Sequence, residues 1–262
     1  YNLTTLPSED FPKFEAEDSL SEINITSSNI KSLIGSTSFA MGNDSWRDYL
    51  SGLNLIVDDK TITAVATDGS RLAVANAVLN EALPDSINGI VPKKSVNEIG
   101  KLVSETSENI IIKLGSTSIS IDAGGTKFVS KLIEGKFPDH EQVIPFGESS
   151  TMIINRKDFS DSLSRVSVLS GGDHKGVRFI TEKNTINISA NNPEKERGEE
   201  SLACSYGGES IDIAFNVNYF QEILSSLSSE EIEINFFGSE RSCLITEPNN
   251  ESLKYVVMPL LV

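Results

Sequence analysis

The sequence predicts an α+β fold of two tandem homologous domains, each with two helices packed on antiparallel sheets. Three observations predict it. One segment recurs at a constant offset, four segments carry apolar residues at helical spacing, and short alternating apolar–polar runs with Asp, Asn and Gly turns lie between them. The recurring block is Gly52-Leu53-Asn54-Leu55-Ile56-Val57-Asp58-Asp59-Lys60-Thr61-Ile62-Thr63. It lies 124 residues before Gly176-Val177-Arg178-Phe179-Ile180-Thr181-Glu182-Lys183-Asn184-Thr185-Ile186-Asn187. At the same offset Val91 falls on Phe215, and Val96-Asn97-Glu98-Ile99 falls on Phe220-Gln221-Glu222-Ile223. A gap-free repeat of this length marks a duplicated domain.

Residues 1–6 have the pattern of a strand, with 7–12 as its exit. A second strand is expected over 18–25. Ser27-Ser28-Asn29 then offers a cap for a helix over 30–41, in which Ile30, Leu33 and Ile34 share a face. Gly42-Asn43-Asp44 ends it. Residues 53–57 and 61–66 alternate around the turn Asp58-Asp59-Lys60. Next comes V-A-T-D-G-S-R-L-A over 65–73, a strand, a tight turn and a strand. Asp68-Gly69 is a strong hairpin signal, because Gly tolerates φ > 0. Thr67, Arg71 and Leu72 would put a hydroxyl, a guanidinium and an exposed aliphatic side chain at one sheet end, although an ordinary hairpin accounts for this stretch taken alone. A helix over 94–104 with Val96, Ile99, Leu102 and Val103 on one face precedes strands over 109–114, 118–122 and 127–132.

The series then restarts, with a strand over 152–155 and a helix over 157–169 carrying Phe159, Leu163, Val166 and Leu169 at core spacing. The fourth helix is expected over 217–228. One echo concerns the start of the chain: Leu6…Phe11-Pro12 repeats the pattern of Leu132…Phe137-Pro138. On that basis 1–20 is expected to be the end of an earlier unit with its linker, 21–149 one domain and 150–262 the next.

Composition narrows the functional classes. The net charge of −16 is incompatible with indiscriminate nucleic-acid binding, so a DNA-facing surface must be locally basic. No apolar run is long enough to cross a bilayer, and the first residues lack the features of a signal peptide. Cys204 and Cys243 have no metal-ligand spacing and suit free thiols in a reducing cytoplasm, with a disulfide as the alternative. No metal or cofactor is expected. Nucleophile-elbow, zinc-protease, phosphate-loop and dinucleotide motifs are absent from the sequence. An acid–base pair of Asp68 with His140 or His174 is conceivable, but a non-enzyme is expected.

Several motifs together carry a family likeness: A-T-D-G-S-R-L-A, Lys136-Phe137-Pro138-Asp139, Ala190-Asn191-Asn192-Pro193-Glu194 and the terminal Tyr255-Val256-Val257-Met258-Pro259-Leu260. The chain resembles the bacterial replicative sliding clamps, the β subunits of DNA polymerase III, in their second and third domains. The resemblance implies a processivity factor in which two three-domain subunits form a ring around duplex DNA. Helices line the hole and sheets form the outside. It implies loose, sequence-blind DNA contacts from Lys31, Lys93, Lys94, Lys101, Arg156, Lys157 and Arg165. Arg47 and Tyr49, beside Trp46, are further expected DNA contacts, with core burial of Trp46 as the other possibility.

The resemblance further implies a hydrophobic groove for short linear peptides of polymerase III, the clamp loader and repair polymerases. One part of it would be Thr67, Gly69, Arg71, Leu72, Pro138, Val143, Val256 and Met258, and the neighbouring part Leu50, Asn216, Tyr219, Ser242 and Leu260. Met suits such a surface because its side chain adapts its shape. The sequence departs from the family pattern at Ser70, where His is common, at Gln142, in place of a basic residue, and at Leu261-Val262, in place of a more polar end. The full-length protein would be a homodimer and this chain a monomer. Two rivals are the two-domain trimeric clamp of archaea and eukaryotes, and a peptide-binding repeat protein that does not meet DNA.

Overall fold

A computed structural model describes residues 1–10, 21–43, 46–104, 109–170 and 175–260. The first unit runs β1 (Ser21–Thr26), α1 (Ser27–Thr37), β2 (Gly52–Asp58), β3 (Thr61–Thr67), β4 (Arg71–Val78), β5 (Ile87–Pro92), α2 (Lys93–Ser104), β6 (Asn109–Leu114), β7 (Ser118–Ala123) and β8 (Thr126–Lys131). The second runs β9 (Ser150–Asn155), α3 (Arg156–Ser167), β10 (Gly176–Glu182), β11 (Thr185–Asn191), β12 (Arg197–Ala203), β13 (Ser205–Tyr206), β14 (Asp212–Asn216), α4 (Val217–Ser226), β15 (Glu231–Phe236), β16 (Cys243–Glu247) and β17 (Asn250–Val257). The recurring block is the β2–β3 hairpin in one unit and the β10–β11 hairpin in the other.

The two units do not merely adjoin. Strand β17 pairs with β4, with Tyr255 opposite Ala73 and Val256 opposite Leu72. This fuses parts of both into one nine-stranded sheet of order β13-β9-β15-β16-β17-β4-β3-β2-β5. Separate four-stranded sheets, β1-β6-β7-β8 and β12-β11-β10-β14, complete the two units. The helices form a row: α1 packs on α2, α3 packs on α4, and α1 meets α4 across the junction.

Side-chain alternation divides the nine-stranded sheet into two faces. Ala64, Ala66, Ala73 and Ala75 point to the helix side, where their small size lets α1 approach β3 and β4. Val65, Leu72 and Val74 point the other way. On the helix side of the second unit Phe159, Phe179, Phe215 and Phe220 pack in tilted and edge-to-face pairs with centroids 5.1–6.1 Å apart. The repeated glycine that opens the hairpin has unequal duties. A Cβ on Gly52 would lie 2.6 Å from the carbonyl oxygen of Val91, whereas one on Gly176 would meet only Leu260 Cδ1, at 3.4 Å.

Three expectations are corrected. Residues 1–6 form no strand: none of the described strands lies beside them, and their side chains are exposed. Phe11 and Pro12, which carry the echo, lie outside the described residues. Helix α1 starts earlier than expected because Thr26 caps it, its Oγ1 accepting from the Asn29 N–H at 3.2 Å. It also ends earlier, where Thr37 Oγ1 donates to the Leu33 carbonyl at 2.6 Å and a short 3₁₀ turn, Ser38–Ala40, follows.

A buried carboxylate pins the end of α4. Glu247 Oε1 accepts the Ser228 and Ser229 N–H groups at 2.8 and 2.9 Å, and Oε2 accepts Asn250 Nδ2 at 2.7 Å. Burial alone would raise its pKa, but the bonds from Ser229, Asn250 and Ser228 outweigh burial and hold it below the ordinary glutamate value. A carboxylate lowered in this way stabilises the fold above the unfolded-state value, about 4.3, and the contribution is lost as pH falls through the folded value. Glu247→Gln should lower stability at pH 7 by about 2 kcal/mol, read from urea unfolding. The gap from the parent should narrow below pH 4.

Candidate peptide groove and helix face

The hairpin that opens β4 is a four-residue connection rather than a two-residue Asp-Gly turn, since Thr67 pairs with Leu72. Gly69 alone in it takes a left-handed conformation, with φ +94°. The neighbouring side chains fix the rest. Thr67 Oγ1 donates to the Arg71 carbonyl at 2.5 Å and accepts the Gly69 N–H at 3.1 Å. Asp68 Oδ1 accepts the Ser70 and Arg71 N–H groups at 2.9 and 3.1 Å. Asp68 is therefore committed to the turn, and among the described residues it forms no pair with His140. His174 lies outside the described residues. The His140 pKa is lowered, chiefly by burial, against the raising effect of Glu141 and Asp139.

On the sheet face away from the helices, Leu50, Val65, Leu72, Val74, Ile90, Phe137 and Val256 form one apolar cluster. Tyr49, Ile133, Ile144 and Leu244 pack against its margin. Leu72 is thus 2% exposed and Val256 1%, so the exposed aliphatic side chain expected at position 72 is corrected to a buried one. The reason lies in residues 133–144, which bring Phe137 and Ile144 over it. Beside them Pro138 and Val143 stay exposed, as does Met258. The Met258 N–H donates to the Ser70 carbonyl at 2.9 Å, so the tail continues along the hairpin. The Leu260 N–H then donates to the Ala214 carbonyl at 2.8 Å on β14. Pro259 and Leu260 border a cleft of about 700 Å³ that runs past Gly176, Asp212 and Ala214.

Arg71 and Leu50 exchange the places expected of them. Alternation turns Arg71 away from Leu72 and toward α4. Its guanidinium lies 4.5 Å from the Tyr219 ring centroid and 5.4 Å from that of Phe39. Nε donates to Asp68 Oδ2 at 3.0 Å, Nη2 to the Phe39 carbonyl at 2.7 Å, and Nη1 to Glu222. Arg71 thus belongs with Tyr219, whereas Leu50 packs with Leu72 and Val256. Asn216 is the α4 cap, accepting from the Asn218 N–H at 3.0 Å. Ser242, just before β16, is half-buried. The sequence reading missed Phe137, Ile90, Val65 and Val74 as cluster members, although the Ala-Val-Ala alternation in β3 and β4 carries the signal for the two valines.

The expected DNA contacts divide as well. Lys31, Lys94, Lys101, Lys157 and Arg165 lie exposed on α1, α2 and α3. Arg156 does not join them: Nε and Nη1 donate to the carbonyls of Ser229 and Leu224 at 2.7 and 3.2 Å, which places this cation at the C-terminal end of α4. Lys93 donates to Asn43 Oδ1 at 2.6 Å. Tyr49 packs against the outer cluster, away from the helices, because the turn Asp48–Leu50 carries it there with buried Leu50. Arg47 Nη1 would lie 3.1 Å from a Cβ on Gly69, which puts it at the hairpin. Trp46 is 91% exposed, so the core alternative fails. Both thiols are free: burial raises the Cys204 pKa and pushes that of Cys243 up to about 12.

Comparison with known proteins bears on the family and the fold. Residues 24–139 match the model of the DNA polymerase III beta subunit central domain, and 141–261 that of its C-terminal domain. The beta sliding clamp of Pseudomonas putida KT2440 is 36% identical over 260 residues, spanning 99% of this chain and 71% of the relative. That of Escherichia coli K12 is 34% identical over the same shares. A crystal structure of the DNA polymerase III subunit beta from Pseudomonas aeruginosa superposes with a TM-score of 0.95 at 36% identity, over 98% of this chain and 71% of that one. Another clamp structure from that organism, solved bound to griselimycin, gives 0.94 at 35% identity, over 98% and 70%.

Proposed function

Because the chain belongs to the DNA polymerase III beta-subunit family, the beta sliding clamps, we propose that its helix row faces duplex DNA while its outer cluster and tail receive short linear peptides of polymerase III, the clamp loader and repair polymerases. The supporting observation is the two-faced sheet. Exposed cations sit on the helix side, and an apolar cluster bordered by Met258, Val143 and Pro138 sits on the other. A peptide with a leading Gln and trailing apolar side chains suits such a surface, at about 1.5–3 kcal/mol per buried side chain. Nothing in this function calls for a catalytic group. Residues 21–149 and 150–262 act as two clamp domains of a subunit that closes as a homodimer. Taken without the rest of that full-length subunit, residues 1–262 should run as a monomer in native mass spectrometry.

DNA contact is tested by photo-crosslinking. A crosslinking residue at position 101, on α2, should attach to a labelled duplex at low salt, whereas one at position 182, at the end of β10, should not. Equal crosslinking at both positions would refute a DNA-facing helix row.

A further inference from the structure

Among the described residues, three of the five exposed helix cations have a carboxylate partner. Lys101 Nζ lies 2.8 Å from Glu98 Oε1, and Lys157 Nζ lies 2.5 Å from Asp161 Oδ2. Arg165 makes a two-pronged contact, Nε to Glu200 Oε1 at 2.5 Å and Nη2 to Oε2 at 2.7 Å. The first two pairs are local to one helix, as many helices have. The third is not, since it reaches from the last turn of α3 to β12, with a planar fork on a half-buried Glu200. The pairing shifts the proton affinities of the groups involved. The hydrogen bond that Lys157 donates to Asp161 raises the Lys157 pKa, those that Arg165 donates to Glu200 raise the Arg165 pKa, and the same bonds lower that of Glu200.

Exposed pairs of this kind contribute little to folding stability. Their consequence is electrostatic. A DNA phosphate that takes Lys101, Lys157 or Arg165 must displace a carboxylate and then lie beside its negative charge. The other exposed positions on these helices include Ser32, Gly35, Asn97, Ser104 and Ser164, none of which offers a positive charge to phosphate. We propose that Glu98, Asp161 and Glu200 temper the helix face, holding its cations back from phosphate so that the duplex is bound weakly enough to slide. This rests on the helix row facing DNA, as proposed above.

The test is fluorescence anisotropy of a labelled duplex across a salt series. The triple variant Glu98→Gln, Asp161→Asn, Glu200→Gln should bind about tenfold more tightly at low salt. Its plot of log affinity against log salt should be steeper, by up to three further phosphate contacts. A second triple variant, Glu81→Gln, Glu182→Gln, Glu251→Gln, changes net charge equally at exposed positions off the helices and should keep the parental slope. An unchanged slope in the first variant, or the same steepening in both, would overturn the proposal. Lys94→Ala with Lys101→Ala separates the two claims. If that pair leaves duplex binding unchanged, the helix row does not meet DNA and the proposed function itself falls. If it weakens binding while the first triple variant does nothing, only the tempering falls. Urea midpoints establish that each variant is folded.

Discussion

Arg71→Ala should lower the stability of the junction between the units by about 3 kcal/mol and make urea unfolding less cooperative. Arg71 is buried, and its contacts come from both units: Asp68 and the Phe39 carbonyl on one side, Glu222 and the Tyr219 ring on the other. Removing one member of a buried ion pair costs about 3–5 kcal/mol, and the lower end applies here because Glu222 is itself about half exposed. The loss is concentrated where β4 and β17 pair, with Arg71 opposite Val257. A second unfolding transition should therefore emerge as the units lose their coupling, visible when fluorescence and far-ultraviolet dichroism are followed together. Arg71→Lys should recover only part of the loss, because an ammonium cannot match a planar fork that donates to Asp68, Phe39 and Glu222 at once. A single coincident transition at the parental midpoint in Arg71→Ala would show that the β17–β4 ladder and the α1–α4 contact hold the units together without Arg71.

The fold was largely legible because its signals are local or periodic. The repeat at Gly52 and Gly176 gave the duplication, and Ile30, Leu33, Val96 and Ile99 gave the buried helix faces. The ladder between β4 and β17 was not legible, because any two edge strands of suitable length can pair and no pattern in the chain selects this one. The site was legible as a set of residues and less so as an arrangement. Arg71 and Leu72 are neighbours in sequence, and the period of two in a strand sends them to opposite faces. Which face holds the cluster depends on the segment carrying Phe137 and Ile144, whose path no local rule dictates. Cations divide in the same way. Lys101 and Arg156 look alike in the sequence, but one is exposed on α2 while the other lies against the carbonyls that end α4.

Met258→Ala should weaken binding of a peptide with a leading Gln and trailing Leu and Phe by about ten- to a hundredfold, with the fold intact. The residue lies just past the last ladder pair, and its backbone alone is tied, through the N–H to the Ser70 carbonyl. Its side chain is 47% exposed at the margin of the cluster that contains Leu72 and Val256. Truncation therefore leaves no core cavity, and the urea midpoint should stay close to the parental value. Burying a Met side chain against an apolar ligand contributes about 1.5–3 kcal/mol, which sets the size of the affinity loss. Calorimetry adds a second readout, since the heat-capacity change on binding should become less negative as buried apolar area is lost. Leu260→Ala separates the groove from the tail. Leu260 borders the cleft on the second unit rather than the outer cluster, so its truncation should weaken only peptides long enough to reach Ala214 and Gly176. Parental affinity in Met258→Ala for peptides of every length would place the peptide site elsewhere on the chain.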